Sequence, residues 1–253
     1  MMRLYVLDGG RIEILDWRLF QPDAPPGTRR SLAVSCYLVE HPDGTLLWDT
    51  GLGDDLVGTD GRTIPDVAVF RVERRLQDQL AEIGHPPETV GHLALSHFHP
   101  DHVGNVALFG KARLWVQRED HAAAFGDTAD DHGFEPDAYA VLRQQETTLL
   151  DGDHDLFGDG SVVLVRVPGH TPGSQALLVR LPATGSVLIT GDLAHSLDNW
   201  HDRAVPLLNW DAAETQRSFD RAAALLAAED AQLWVPHDLD QQAALRHAPH
   251  PYT

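Results

Sequence analysis

Four side chains that suit a divalent metal ion fall within a single short stretch of this sequence. They are His97, His99, Asp101 and His102 in the run SHFHPDHVGN. Imidazole nitrogens and carboxylate oxygens are ligands that a borderline cation such as zinc prefers, and one turn carrying four of them can serve two ions. A closed structural zinc site often uses cysteine, and Cys36 is the only cysteine. The spacing therefore predicts an open metal site.

Pro100 lies in the middle of these candidate ligands. Proline lacks a backbone N–H and disfavours helical backbone in the residue before it, so it argues against a regular helix through the motif. We expect the ligands on a loop between a strand that ends near Leu95 and a helix that begins near His102.

One turn can contact two ions but offers too few ligands to complete the coordination of both, so further ligands must come from elsewhere in the chain. Three other places show a histidine or aspartate directly after an apolar run, where a rigid strand would hold it. They are His170 in VPGHTPGS after 162–167, Asp192 in LITGDLAH after 187–189, and His237 in LWVPHDLD after 233–235.

The elements that must position these residues are mostly short strands. Apolar runs bounded by turn residues predict strands at 4–7, 36–39, 46–48, 93–95, 114–116, 162–167, 176–179, 187–189 and 233–235. Val72, Leu76, Leu80 and Ile83 mark the apolar stripe of one helix, and a second helix is predicted to begin near Asp211. Residues 21–30 and 52–70 are predicted to be long loops that could wall a substrate. This order of elements suits two sheets packed face to face with helices outside.

Charge and composition restrict the class of partner. The chain has 253 residues and a formal net charge of −19, and two divalent cations would leave it near −15. Such a field repels nucleic acid and anionic membrane, so small neutral or cationic molecules are the expected partners. No linker separates two domains, which predicts one domain over 1–253. The sequence shows no signal peptide and no membrane-spanning stretch, and we expect a cytoplasmic protein.

Taken together, these motifs resemble those of a known family. The H-x-H-x-D-H motif, the PGHTPGS histidine, the TGD aspartate and the late histidine resemble the metallo-β-lactamase superfamily over nearly the whole chain. Four further stretches resemble the N-acyl-homoserine lactonases: CYLVEHPDGTLLWDTG at 36–51, WVQREDHAAAF at 115–125, DLAHSLDNWHDRAVPLLNWD at 192–211 and HDLDQQAALR at 237–246.

The resemblance implies an α/β (α+β) fold of the αββα type, two packed mixed sheets with outer helices, and a two-metal centre at one rim. It implies that His97, His99 and His170 hold one ion, that Asp101, His102 and His237 hold the other, that Asp192 bridges them, and that Asp49 orients a ligand. Zinc is the expected metal, with iron, cobalt and manganese left open because His/Asp sites accept all of them.

The activity implied is hydrolysis of a lactone. Two ions roughly 3.5 to 4 Å apart can supply hydroxide at neutral pH and polarise a carbonyl. A hydroxide shared by the ions is expected to open the lactone ring of N-acyl-homoserine lactones, with Asp101 or Asp192 moving the proton. Phe20, Phe70 and Leu207 are predicted to contact the acyl tail.

His195 departs from the family pattern. Many of these lactonases have a tyrosine three residues after the bridging aspartate, and this chain has His195 there. An imidazole can donate the same hydrogen bond to a substrate carbonyl, so His195 is predicted to stabilise the oxyanion. The alternative is that it only lines the rim or caps a turn.

Other functions also fit this sequence. Glyoxalase-II-like thioesterases and some organophosphate hydrolases share the whole ligand set, whereas β-lactamases of the superfamily generally lack the bridging aspartate. A metal-dependent binding protein without catalysis is the non-enzymatic alternative. A lactone is the expected small-molecule partner, and the chain is expected to be a monomer or a homodimer.

Overall fold

Two mixed β-sheets form the centre of the molecule in the computed structural model, which describes residues 2–253. The larger sheet contains β1 (Arg3–Ile14), β2 (Arg30–His41), β3 (Gly44–Trp48), β4 (Arg62–Ile64), β5 (Ala68–Arg71), β6 (His92–Ala94), β7 (Arg113–Gln117) and β8 (Thr147–Leu150). Its strand order is β4-β5-β1-β2-β3-β6-β7-β8. The smaller sheet contains β9 (His154–Asp155), β10 (Val162–Arg166), β11 (Gln175–Leu181), β12 (Gly185–Ile189) and β13 (Gln232–Trp234). Its order is β13-β12-β11-β10-β9.

The described residues also form six α-helices. They are α1 (Leu76–Glu82), α2 (Pro100–Val103), α3 (Arg118–Ala124), α4 (Leu197–Asp202), α5 (Ala212–Glu229) and α6 (Leu239–Ala244). Leu76 and Leu80 of α1 pack on the larger sheet, and Phe219 and Ala222 of α5 pack on the smaller one. Within residues 2–253, every helix is too short or too polar to cross a membrane.

Alternation along the strands explains why the sheets pack on each other. In β3, Leu46 and Trp48 point into a core shared with Val187 and Ile189 of β12, whereas Leu47 points to the outer helices. Both faces of these central strands are buried, so their sequences are continuously apolar. The predicted αββα sandwich is confirmed.

The direction of the strands places the candidate ligands at one rim. In the larger sheet, β3 and β6 are parallel neighbours. In the smaller sheet, β12 and β13 are parallel. Strand β11 is antiparallel to both β10 and β12, so β10 runs in the same direction as β12 and β13. Asp49, the 97–102 motif, His170, Asp192 and His237 follow these strands. Their loops therefore meet at the same rim of the sandwich.

Two details differ from the sequence-based expectation. The helix of the metal motif begins at Pro100, not near His102, because a proline fits the first helical position, where no N–H partner is needed. The segment 52–70 is not a plain loop: it contains β4 and the start of β5, which form an edge hairpin joined to β1. Residues 21–29 are irregular, as predicted, and Asp211 caps α5 as predicted.

We expect Gly104→Ala to destabilise the protein. Gly104 ends α2, and a Cβ there would lie 2.3 Å from the Gly53 nitrogen and 2.5 Å from the Leu52 carbonyl carbon. Such overpacking against backbone costs about 1 to 3 kcal/mol, because the loop that follows β3 must move. Urea unfolding of the metal-free protein measures this change in the free energy of unfolding.

Gly110→Ala is the matched control. Gly110 also ends a short helical segment with φ near −60°, but no atom lies within 4 Å of the added Cβ. The control should unfold at the parent's urea concentration or slightly above it. Equal stability of the two variants would contradict the close approach of α2 to residues 51–53.

Candidate metal centre

Seven histidine and aspartate side chains from both sheets converge at this rim. They form two groups whose ligand atoms lie within 4.8 Å of one another: His97, His99, His170 and Asp192 in one, and Asp101, His102 and His237 in the other. All seven are the residues that the sequence predicted as metal ligands.

Three imidazoles make up the first half of the site. The His97 Nε2 and His170 Nε2 atoms lie 2.8 Å and 3.0 Å from His99 Nδ1. Burial lowers the pKa of His97 and His170 well below the ordinary histidine value, and it also lowers the pKa of His99. Neutral imidazoles keep a lone pair available, so these three nitrogens are in the state that binds a cation.

The second half combines a carboxylate with two imidazoles. Asp101 Oδ2 lies 3.5 Å from His102 Nε2 and 3.4 Å from His237 Nε2. Burial opposes a charge on His102, but Asp101, Asp192 and Asp49 outweigh it and raise its pKa well above the ordinary value. Burial also opposes a charge on Asp101, and the adjacent His102 nevertheless lowers its pKa. Metal binding in this half must therefore displace protons.

Asp192 lies between the two halves and presents one oxygen to each. Its Oδ1 is 3.0 Å from His237 Nε2 and 3.3 Å from His102 Nε2. Its Oδ2 is 3.5 Å from His170 Nε2 and 3.7 Å from His97 Nε2. Burial opposes its charge, yet His237 and His102 lower its pKa well below the ordinary value. A carboxylate so placed can bind two cations at once.

Hydrogen bonds hold four of the five imidazoles by the nitrogen that faces away from the site. His97 Nδ1 lies 3.0 Å from Ser96 Oγ, His99 Nε2 lies 2.8 Å from the His132 carbonyl, His102 Nδ1 lies 2.9 Å from Asp49 Oδ2, and His237 Nδ1 lies 2.6 Å from the Ala33 carbonyl. Bonds of this kind fix the tautomer and direct the other nitrogen inward.

Asp49 and Ser96 support the motif from behind. Asp49 has a left-handed backbone with φ of 58°, and its Oδ1 accepts the Ser96 N–H at 2.7 Å while Oδ2 accepts from His102. The Asp49 position agrees with the sequence expectation. Ser96 was not predicted, although it directly precedes the motif. The carbonyls of Ala33 and His132 could not be predicted, because every residue has one.

The donor set and its unpaired atoms fit divalent cations. Among residues 2–253, His102 Nε2, His237 Nε2 and Asp192 Oδ1 are buried without a hydrogen-bond partner. Unpaired buried polar atoms are costly, and three of them facing one point call for a ligand. His/Asp donors in this number and arrangement suit two metal ions that share Asp192.

The other predicted site residues lie in different places. His195 is buried, and its Nε2 lies 3.0 Å from Asp192 Oδ2. The ring centroids of His195 and Phe20 are 4.5 Å apart. Leu207 is 64% exposed, and its N–H donates to the carbonyl of Leu19, next to Phe20. Phe70 lies on β5 opposite Ile12 and packs in the same apolar cluster as Phe20, and its contact with the acyl tail stays a prediction.

The comparison with protein families agrees with this geometry. Residues 29–229 match the model of the metallo-beta-lactamase superfamily. The chain belongs to this superfamily. The resemblance seen in the sequence is therefore confirmed, and the lactonase resemblance is confirmed by the curated relatives.

The relatives include N-acyl homoserine lactonases from several bacterial genera. The chain is 31% identical to N-acyl homoserine lactonase AttM of Azorhizobium caulinodans, over 98% of this chain and 97% of the relative. It is 28% identical to N-acyl homoserine lactonase AiiA of Bacillus thuringiensis subsp. kurstaki, over 96% of each. A solved N-acyl homoserine lactone hydrolase with N-hexanoyl-L-homoserine at its catalytic metal centre superposes with a TM-score of 0.85 and 27% identity, covering 99% of this chain and 98% of that one.

We expect Asp192→Asn to hold fewer metal ions than the parent. An amide nitrogen cannot replace the second carboxylate oxygen as a ligand, so one half of the site loses a donor and the two ions lose their bridge. Metal content after dialysis, measured by mass spectrometry, should fall from two ions per chain to one or none. Asp198→Asn is the control, because Asp198 is exposed and, within residues 2–253, forms an ion pair only with Arg30. Two tightly held ions in Asp192→Asn would contradict the bridging role.

Proposed function

We propose that this protein is an N-acyl-homoserine lactonase that opens the lactone ring by metal-dependent hydrolysis. Full-length similarity to curated lactonases, together with the complete set of seven ligands, supports this function. Zinc as the native metal, a cytoplasmic location and the choice between monomer and homodimer stay predictions from the sequence. A role in silencing bacterial quorum signals follows from the same proposal.

The site residues divide the chemistry between them. Two divalent ions bound by the seven ligands would lower the pKa of a shared water and polarise the substrate carbonyl. In the proposed reaction, Asp101 or Asp192 accepts the proton of the attacking water and returns it to the ring oxygen as the ring C–O bond breaks. One water is consumed, and the product is the open N-acyl-homoserine.

His195 and Phe20 are proposed to form the substrate-facing wall. His195 points its Nε2 at the site and stacks on His237 at 5.6 Å, so its ring is held in place and can donate to a carbonyl oxygen. Leu207, Leu208 and Trp210 are 64%, 63% and 47% exposed. Exposed apolar side chains in one segment favour an apolar ligand, and an acyl tail suits this segment.

Two other hydrolases remain alternatives on this scaffold. A glyoxalase-II-like thioesterase or an organophosphate hydrolase needs the same ligand set, and a metal-dependent binding protein needs no turnover. The exposed apolar segment at 207–210 favours a substrate with an apolar tail over a glutathione thioester, whose tail is charged.

Turnover of a substrate panel tests the proposed function. The metal-loaded protein is given acyl-homoserine lactones of short and long chain, a γ-lactone without the amide, a glutathione thioester and an aryl phosphotriester. Acyl-homoserine lactones should have the highest kcat/KM, measured by proton release for the lactones. A thioester or phosphotriester in first place would replace the substrate class, and metal-loaded protein that turns over none of them would support a binding protein.

A pair of substitutions at His195 tests the oxyanion role. His195→Phe keeps an aromatic ring but removes the hydrogen-bond donor, and it should lower kcat for the preferred lactone by about 10²-fold. His195→Tyr restores a donor and should recover most of this loss. Steady-state kinetics at saturating metal measures both. If His195→Phe keeps the parent's kcat, His195 only lines the rim.

A further inference from the structure

His170 differs from the other four imidazoles of the metal centre. Its Nδ1 is buried, and no group within residues 2–253 makes a hydrogen bond to it. The other four rings are each held by a serine hydroxyl, a carboxylate or a backbone carbonyl. On its outer side the His170 ring therefore depends on the backbone of its loop, while its Nε2 faces His99 Nδ1 at 3.0 Å.

The loop of His170, residues 168–174, is tied at both ends. The Trp210 N–H donates to the His170 carbonyl at 3.0 Å. On the other side, the Thr171 N–H donates to Ser174 Oγ at 3.0 Å, which closes the turn on itself. Within this turn, the Gly173 N–H points outward and donates to Asp120 Oδ1 of α3 at 3.0 Å.

Asp120 is an unusual residue for this position. It is 1% exposed, and its Oδ2 has no hydrogen-bond partner among the described residues. Burial raises the pKa of Asp120 to about 7, so the site favours the neutral form and a carboxylate there is costly. The adjacent Glu119 on the same helix pairs with Arg166 at the surface instead. Stability alone does not explain a buried acid here.

The contact between Asp120 and the loop is close as well as polar. A Cβ on Gly173 would lie 2.6 Å from the Asp120 nitrogen and 2.8 Å from its Cβ. Glycine is therefore needed for the loop to reach the helix. We propose that Asp120 is a positioning residue that fixes the direction of the His170 ring through the Gly173 N–H. Asp120 belongs to neither group of candidate metal ligands.

Metal affinity tests this role without any substrate. The inference rests on the metal-binding part of the proposed function, but it holds or fails independently of the lactone. Asp120→Ala removes the acceptor and should weaken binding of one of the two ions about 10- to 100-fold, the loss typical of a partner that orients a ligand. Asp120→Asn keeps an acceptor oxygen and should restore most of the affinity. Competition with a chromogenic chelator measures zinc affinity, and the absorption bands of the cobalt(II)-loaded protein report the geometry around the ions.

Controls separate positioning from folding. Glu119→Ala removes the neighbouring, exposed carboxylate and should leave affinity and cobalt spectrum unchanged. Gly173→Ala pushes the loop away from Asp120 and should reproduce the effect of Asp120→Ala. If Asp120→Ala fails to fold, Gly173→Ala provides the test. The proposal is overturned if well-folded Asp120→Ala or Gly173→Ala binds both ions with the parent's affinity and spectrum.

Discussion

The cost of burying charge governs the structure around the metal centre. Carboxylates and imidazoles are removed from water at one rim. Burial opposes the charged form of these groups, as the pKa shifts of His97, Asp101, His102 and Asp192 show. A buried charge is tolerated only when it is paired or bound to a metal. Asp192 meets this condition by facing imidazoles on both sides. The loops, caps and supporting hydrogen bonds exist to hold this arrangement at a fixed geometry.

The division of the site into two unlike halves follows from the same cost. The half of His97, His99 and His170 contains only bases that burial keeps neutral, so it is ready for a cation. The half of His102 and His237 carries charge that the carboxylates stabilise. A cation entering the second half competes with protons, whereas one entering the first half does not. The two ions are therefore expected to respond differently to pH.

The amino-acid pattern was sufficient for much of the fold and for the seven side chains that converge at the rim. Residue type and strand-then-loop context identified His97 as well as His237, because a ligand must have the right chemistry and a rigid base. The helix start at Pro100 and the hairpin within 52–70 were mispredicted. The helix start was missed because proline is compatible with a helix start as well as with a loop. The hairpin was missed because its strands are only three and four residues long and lie at a sheet edge.

Supports that act through the backbone could not be predicted from residue types. The carbonyls of Ala33 and His132 carry no sequence signal, and Asp120 is one acid among 38 acidic residues until the fold brings it to the loop of His170. Phe20 was predicted beside the substrate and contacts His195, and Phe70 of β5 packs in the same apolar cluster as Phe20. Long-range placement of this kind depends on the sheet order, which local patterns do not contain.

The ligands come from both sheets, and this has a consequence for the lifetime of the protein. His99 follows the larger sheet and His170 follows the smaller one, 71 positions later in the chain. An ion that binds both closes a long segment and joins the two halves of the sandwich, as a disulfide would. Loss of the metal is therefore expected to let the sheets separate more often and to make the chain easier for proteases to degrade.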